Sequence, residues 1–135
     1  MIDSAKQPAI IATDTLYQRM GGEEGIASFV DSVVEAHVMN PVIRPRFLPY
    51  LDSPDKVALI KKHFCEFLGV GCGGPETYSG RDMISVHKGM NISEAEYMAA
   101  IDDILSVLEQ RQANELTKQE ILYMAYSVKN QILHV

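Results

Sequence analysis

Four prolines, Pro41, Pro45, Pro49 and Pro54, fall within fourteen residues in the segment PVIRPRFLPYLDSPDK. Each removes a backbone donor and collides with the preceding helical turn, so no long helix can cross this segment. On both sides of it, apolar residues recur every three or four positions. The chain must therefore fold as separate helices joined through a bent connector. Alternating apolar and polar runs between turn formers are scarce, and the expected fold class is all-α.

Helix punctuation divides the rest. Asp14 or Thr15 can cap a short first helix that stops at Gly21-Gly22. The spacing then predicts a helix from about Glu23 to Val38, with Ile26, Phe29, Val30, Val33, Val34 and His37 inward, ended by Asn40-Pro41. The connector is expected to hold a single helical turn and to turn Phe47 and Tyr50 inward. Ser53 reads as a cap, with Pro54 in the first turn and Asp55 near the positive end of the helix dipole. That helix runs toward Cys72 and stops in GCGGPETYSG; a short one follows from Asp82 to about Met90. Ser93 with Glu96, and Thr117 with Glu120, match the capping-box pattern and predict two further helices. Their inner faces are Tyr97, Ala100, Ile101, Ile104, Leu105 and Leu108, then Ile121, Met124, Ala125, Val128 and Ile132. Residues 1–13 read as a leader and residues 14–135 as one domain, without repeat or linker.

Composition narrows the function classes. At 135 residues and 47% hydrophobic, the chain can close a core without disulfide or metal staples. A net charge of -6 offers no cationic stripe to displace phosphate counterions, which argues against nucleic acid. No apolar run is long enough to span a membrane, and the N-terminus does not read as a signal peptide. Cys65 and Cys72 lie two turns apart on one predicted helix, too far to bridge. Reduced thiols and a cytoplasmic location are expected.

The histidines carry the chemistry. His87 stands among Met83, Ile84, Val86 and Met90. It is either a core histidine bonded to a carbonyl or a neutral imidazole waiting for something in an apolar pocket, as a haem iron would require. His63 lies at the edge of the stripe formed by Val57, Ile60, Phe64, Phe67, Leu68 and Gly71, where it is either a surface histidine or a ligand. Lys62 and Glu66 fall on the far, solvated side. His37 reads as a cap on the negative end of its helix, and His134 as surface. Zinc spacings, a covalent haem attachment motif, phosphate-binding loops and paired carboxylates for acid-base work are all missing. GVGCGG follows a helix, not a strand, so it is no dinucleotide loop.

Three stretches, LYQRMGGEEGI, FLGVGCGGPETYSGRDM and VHKGMNISEAEY, together resemble the truncated haemoglobins, most closely their first group. The likeness runs over roughly residues 15 to 110. It implies a two-over-two helical sandwich around a non-covalently held haem b, with His87 as the proximal iron ligand. It puts Phe47 against the porphyrin and Tyr97 on the proximal border. Val34 stands where the family usually has a distal tyrosine, Phe64 where a glutamine is frequent, and Ile60 at the other distal gate. His63 occupies the position of a histidine that in some members binds iron from the distal side. Phe67, Met83 and Val86 would complete the apolar cover, and Lys61, Arg81 and Lys88 are the cations nearest in sequence for the propionates.

The ligands implied are oxygen, nitric oxide and carbon monoxide. Bound dioxygen gains roughly 1.5 to 3 kcal/mol from a charge-assisted hydrogen bond, and Val34, Ile60 and Phe64 offer no donor. The pocket thus suits nitric oxide, peroxide or electron-transfer chemistry, or sensing, better than oxygen storage. An incoming gas would have to displace an iron-bound His63, and protonating His63 would free the site. As an enzyme, the chain would be a nitric oxide dioxygenase or peroxidase-like protein served by an external reductase, since it has no flavin or nicotinamide motif. The alternative from another class is a haem-free, globin-like helical interaction module.

Overall fold

Thr15 opens the first helix, α1 (Leu16–Arg19): its hydroxyl accepts from the Gln18 amide while the Gln18 side chain accepts from the Thr15 amide. The computed structural model describes residues 14–135, so the leader expected at 1–13 lies outside the described residues. The chain turns at Gly21 into α2 (Gly22–Met39), whose buried residues are Ile26, Phe29, Val30, Val33 and Val34, the inward set expected from the spacing apart from His37, which is half-buried. A Cβ on Gly25 would sit 2.1 Å from the Met20 carbonyl oxygen, so only glycine lets α1 cross α2 this closely.

The connector departs from expectation. It contains an α-helical turn, α3 (Arg44–Phe47), followed directly by a 3-10 turn, Leu48–Tyr50. The amides of Ile43 and Arg44 both donate to the Asn40 carbonyl, at 3.0 and 2.7 Å, folding the start of the connector back onto the end of α2. That fold delivers Ile43 into the core and leaves Tyr50 exposed, while Phe47 packs against the core half-buried. Tyr50 is thus not the inward residue its spacing indicated.

Helix α4 (Pro54–Gly71) starts at the proline, but Ser53 does not cap it with its hydroxyl. The Ser53 carbonyl instead accepts from Lys56 and Val57 at 3.0 and 3.2 Å. Then come α5 (Met83–His87), capped by Asp82 on the Ser85 amide, and α6 (Glu94–Gln110), whose Ser93–Glu96 capping box is complete. The next helix starts earlier than the Thr117–Glu120 pattern predicts: Asn114 caps α7 (Glu115–Ser127) by accepting from the Thr117 amide. Thr117 is buried inside the helix, where its hydroxyl accepts from Arg19 Nη1 at 2.9 Å, and Glu120 forms an ion pair with the same guanidinium. A break at Val128 separates a last turn, α8 (Lys129–Ile132).

α2 packs on α4 and on α6, and α6 on α7, which gives two stacked helical pairs with α2 joining the layers. Phe29, Ile26, Val30 and Val33 of α2, with Leu108 of α6, form the driest part of the core. Burying each such side chain contributes about 1.5 to 3 kcal/mol. Two polar ties bind the connector region to α6. The Arg46 guanidinium grips both Glu96 carboxylate oxygens, at 2.6 and 2.9 Å, and pulls that carboxyl down to about 2. Asp103 accepts from Asn40 at 3.1 Å and from His37 Nδ1 at 2.8 Å. His37 therefore faces another helix instead of capping its own, and burial lowers its pKa despite Asp103.

Candidate functional site

A helix of five residues, α5, cannot hold itself together by propensity, so its side-chain ties matter. Asp82 accepts from the Ser85 amide at 2.7 Å and caps the start, and its carboxyl is held below the usual range by those bonds. At the other end His87 Nδ1 lies 2.8 Å from the Met83 carbonyl oxygen. A carbonyl can only accept, so Nδ1 carries the proton, and in the neutral ring Nε2 is left with its lone pair. The chain beyond α5 is tied down as well. Gly89 and Asn91 amides donate to the Val135 carbonyl at 3.2 and 3.0 Å, the His134 amide donates to Ile92 at 3.0 Å, and Ile92 bridges Leu133.

The other residues that the family likeness singles out lie on α2, α3, α4 and α6. Val34 is buried, and Phe47 and Phe64 pack against the same apolar cluster. Ile60, His63 and Phe67 are half-buried along α4, as is Met83 on α5, whereas Val86 is 36% exposed. Tyr97 is buried at the start of α6 and donates its hydroxyl to the Ala125 carbonyl of α7; burial pushes that phenol up to about 12. Lys61 is held by Asp31 at 3.2 Å, while Arg81 and Lys88 are exposed.

The glycine-rich loop between α4 and α5 is fastened to α4 in a way the sequence did not announce. Glu66, expected in solvent, accepts from both the amide and the hydroxyl of Ser79, at 3.0 and 2.7 Å, and these bonds lower its pKa. Tyr78 donates to the Arg81 carbonyl at 2.7 Å. A Cβ on Gly80 would lie 2.4 Å from the Tyr78 hydroxyl, so a glycine two residues after the tyrosine leaves room for its ring. The Tyr78 ring meets His63 edge-on at 5.9 Å and Phe67 at 6.3 Å. Tyr78 is the neighbour that spacing arguments missed; its only local signal was the glycine two residues on.

Chemically, α5 offers an imidazole whose Nδ1 is tied to its own helix and whose Nε2 keeps its lone pair. No group of three or more His, Cys, Asp or Glu that could hold a bare metal ion occurs among the described residues. An imidazole nitrogen without a carboxylate or thiol cluster around it fits a haem, whose macrocycle would supply most of the donors to its iron, with His87 holding it. A surface cleft lined by Leu16, Cys72, Glu120 and Met124 lies at the far end of α4 and includes none of these residues; burial pushes the Cys72 thiol up to about 11.

Known proteins agree with this architecture. The profile of the bacterial-like globins matches residues 15–134. A group 1 truncated haemoglobin from Tetrahymena pyriformis is 26% identical over 71% of this chain and 75% of its own. Another, from a Nostoc species, is 25% identical over 89% and 98%. The crystal structure of the Tetrahymena pyriformis protein in its Fe(III) form superposes with a TM-score of 0.80 at 22% identity, covering 90% of this chain and all (100%) of that one. The 2/2 haemoglobin of a Synechococcus species, in the cyanomet state with covalently attached haem, gives a TM-score of 0.77 at 18% identity, over 89% and 98%. With the helix order, the two stacked pairs and the sequence profile in agreement, the chain belongs to the bacterial-like globins, a haem-binding family, and within them to the group 1 truncated haemoglobins.

Proposed function

We propose that this chain holds haem b non-covalently through His87 Nε2 and binds diatomic ligands on the opposite, distal side. The observation that carries the proposal is the Nδ1 bond to Met83, which fixes the ring and its tautomer with Nε2 unencumbered. When bound, the haem supplies an iron that cycles between Fe(II) and Fe(III) and accepts a small axial ligand.

The protein's own residues do the rest. Phe47, Phe64, Phe67, Met83, Val86 and Tyr97 cover apolar surface. Burial of a few hundred square ångströms contributes several kcal/mol, at about 25 cal/mol per square ångström. Arg81 and Lys88 are exposed and suit the propionates better than Lys61, which Asp31 already engages. Val34, Ile60 and Phe64 present no hydrogen-bond donor to oxygen, nitric oxide or carbon monoxide, so His63 is the polar group that decides ligand access. When His63 holds the iron, ligands compete with it. The reading favours nitric oxide or peroxide chemistry with an external reductase, or sensing, over oxygen storage or transport. No helix among the described residues is long and apolar enough to cross a membrane, which suits a cytoplasmic protein with reduced thiols.

The test is an absorbance spectrum of the reconstituted protein, oxidised, reduced and under carbon monoxide. A Soret band and a six-coordinate resting spectrum are expected, with the haem extractable into acidified butanone. Absence of a Soret band after haem addition would sink the reading and favour a haem-free interaction module. Haem that resists extraction would replace the non-covalent assignment by a covalent one, such as the Synechococcus relative has.

A further inference from the structure

We propose that the Tyr78 ring is the resting place of His63 when His63 is off the iron, and that Tyr78 thereby sets the fraction of protein open to ligand. The inference rests on the haem reading above.

Among the described residues the His63 imidazole makes no hydrogen bond; its directed contact is the edge-on approach to Tyr78, with centroids 5.9 Å apart and planes at 65°. Phe67, one helical turn further along α4, meets the same ring at 6.3 Å and 78°. Tyr78 thus spans two positions on one face of α4. It is also fixed without help from His63. Its hydroxyl is held by the Arg81 carbonyl, Ser79 staples the loop to Glu66, and Gly80 leaves room for the hydroxyl. Glu66 lies three residues from His63 on α4, so the staple and the histidine are on adjacent turns.

A platform built before its guest arrives imposes no ordering cost when the guest docks. His63 then divides its time between two partners, the iron and the Tyr78 ring. An aromatic edge contact of this kind weights such a division by about two- to tenfold. Apparent ligand affinity scales with the open fraction, so the loss of the ring lowers affinity by the same factor.

The experiment compares wild type, Tyr78→Leu and Tyr78→Phe, each reconstituted with haem. The readouts are the low-spin six-coordinate fraction and the carbon monoxide binding curve. Tyr78→Leu is expected to raise the ratio of His63-bound to open protein by about two- to tenfold, and Tyr78→Phe, which keeps the ring, to restore the wild-type ratio. Equal ratios in wild type and Tyr78→Leu overturn the proposal, as does a wild-type iron that His63 never binds. Should Tyr78→Leu not fold, the wild-type carbon monoxide complex decides. A nuclear Overhauser contact between the His63 and Tyr78 rings is expected there, and its absence overturns the assignment. If wild type takes up no haem, the haem reading has failed, and the same ring contact measured in haem-free protein shows separately whether His63 docks on Tyr78.

Discussion

His87 and His63 are held in opposite ways. His87 is bonded through Nδ1 to its own helix, the helix is capped by Asp82, and the chain after it is tied by backbone bonds to residues 133–135. His63 sits in the middle of an eighteen-residue helix and touches an aromatic edge. A hydrogen bond to a fixed carbonyl sets the direction of a ring, while an edge contact can be exchanged for another partner at small cost. On the proposed haem reading, one side would hold the iron and the other would yield to a ligand.

Substitution should separate the two. The largest effect is expected from His87→Leu: haem retention should fall by more than about 100-fold, beyond what losing an outer partner of a metal ligand costs. Transfer of haem to a competing apoglobin measures it; unchanged retention would remove His87 as the ligand. His63→Leu should leave retention nearly as it was. It should convert the resting spectrum from six- to five-coordinate or water-bound iron, and raise apparent carbon monoxide affinity on the order of tenfold if the site is closed nine-tenths of the time. A variant that lost haem instead would erase the contrast.

Smaller effects come from the supports. Asp82→Ala deletes the cap of α5 and should lower the urea midpoint slightly, with haem loss several-fold faster. Weakest is Arg46→Gln, which breaks the tie between connector and α6 that serves both sides. The Glu96 carboxyl is lowered to about 2 from an ordinary 4.5, so its contribution is present above pH 4.5 and is lost as pH falls toward 2. Arg46→Gln should therefore cost about 1 kcal/mol near neutrality, given screening of a partly exposed pair, and nothing once Glu96 is protonated. His37 acts in the same direction at higher pH. Its neutral form is favoured in the fold, so its contribution is present above pH 6.5 and declines as the imidazole takes up a proton. A denaturation series run with His37→Gln should show a flatter acid limb below that point.

What could be read in advance follows the range of the forces involved. The inward stripe of α2 and the Ser93 capping box are local patterns, and both appear as read. Thr117 with Glu120 fits the same local pattern but fails, because Arg19 recruits both residues from almost a hundred positions away. Asp103 with His37, Glu96 with Arg46 and Lys61 with Asp31 are likewise pairs between separate elements. No periodicity announces them. Tyr50 stays exposed against expectation because the backbone bonds at Asn40, not hydrophobicity, decide how the connector bends. The carbonyl bond of His87 was legible, since Met83 and His87 lie within one short helix. The surroundings of His63 were not, since Tyr78 reaches it from a loop fifteen residues later.

The pairing of residues 89–92 with 133–135 also dictates an order of events during synthesis. His87 leaves the ribosome well before its loop can be closed, because α6, α7 and α8 must emerge before Leu133 and Val135 do. The segment after His87 stays unfastened for that interval, and on the proposed reading firm haem capture would be a late step that follows the completion of the last turn. Stalled nascent chains that lack residues 133–135 should take up haem more weakly than released chains of the same protein.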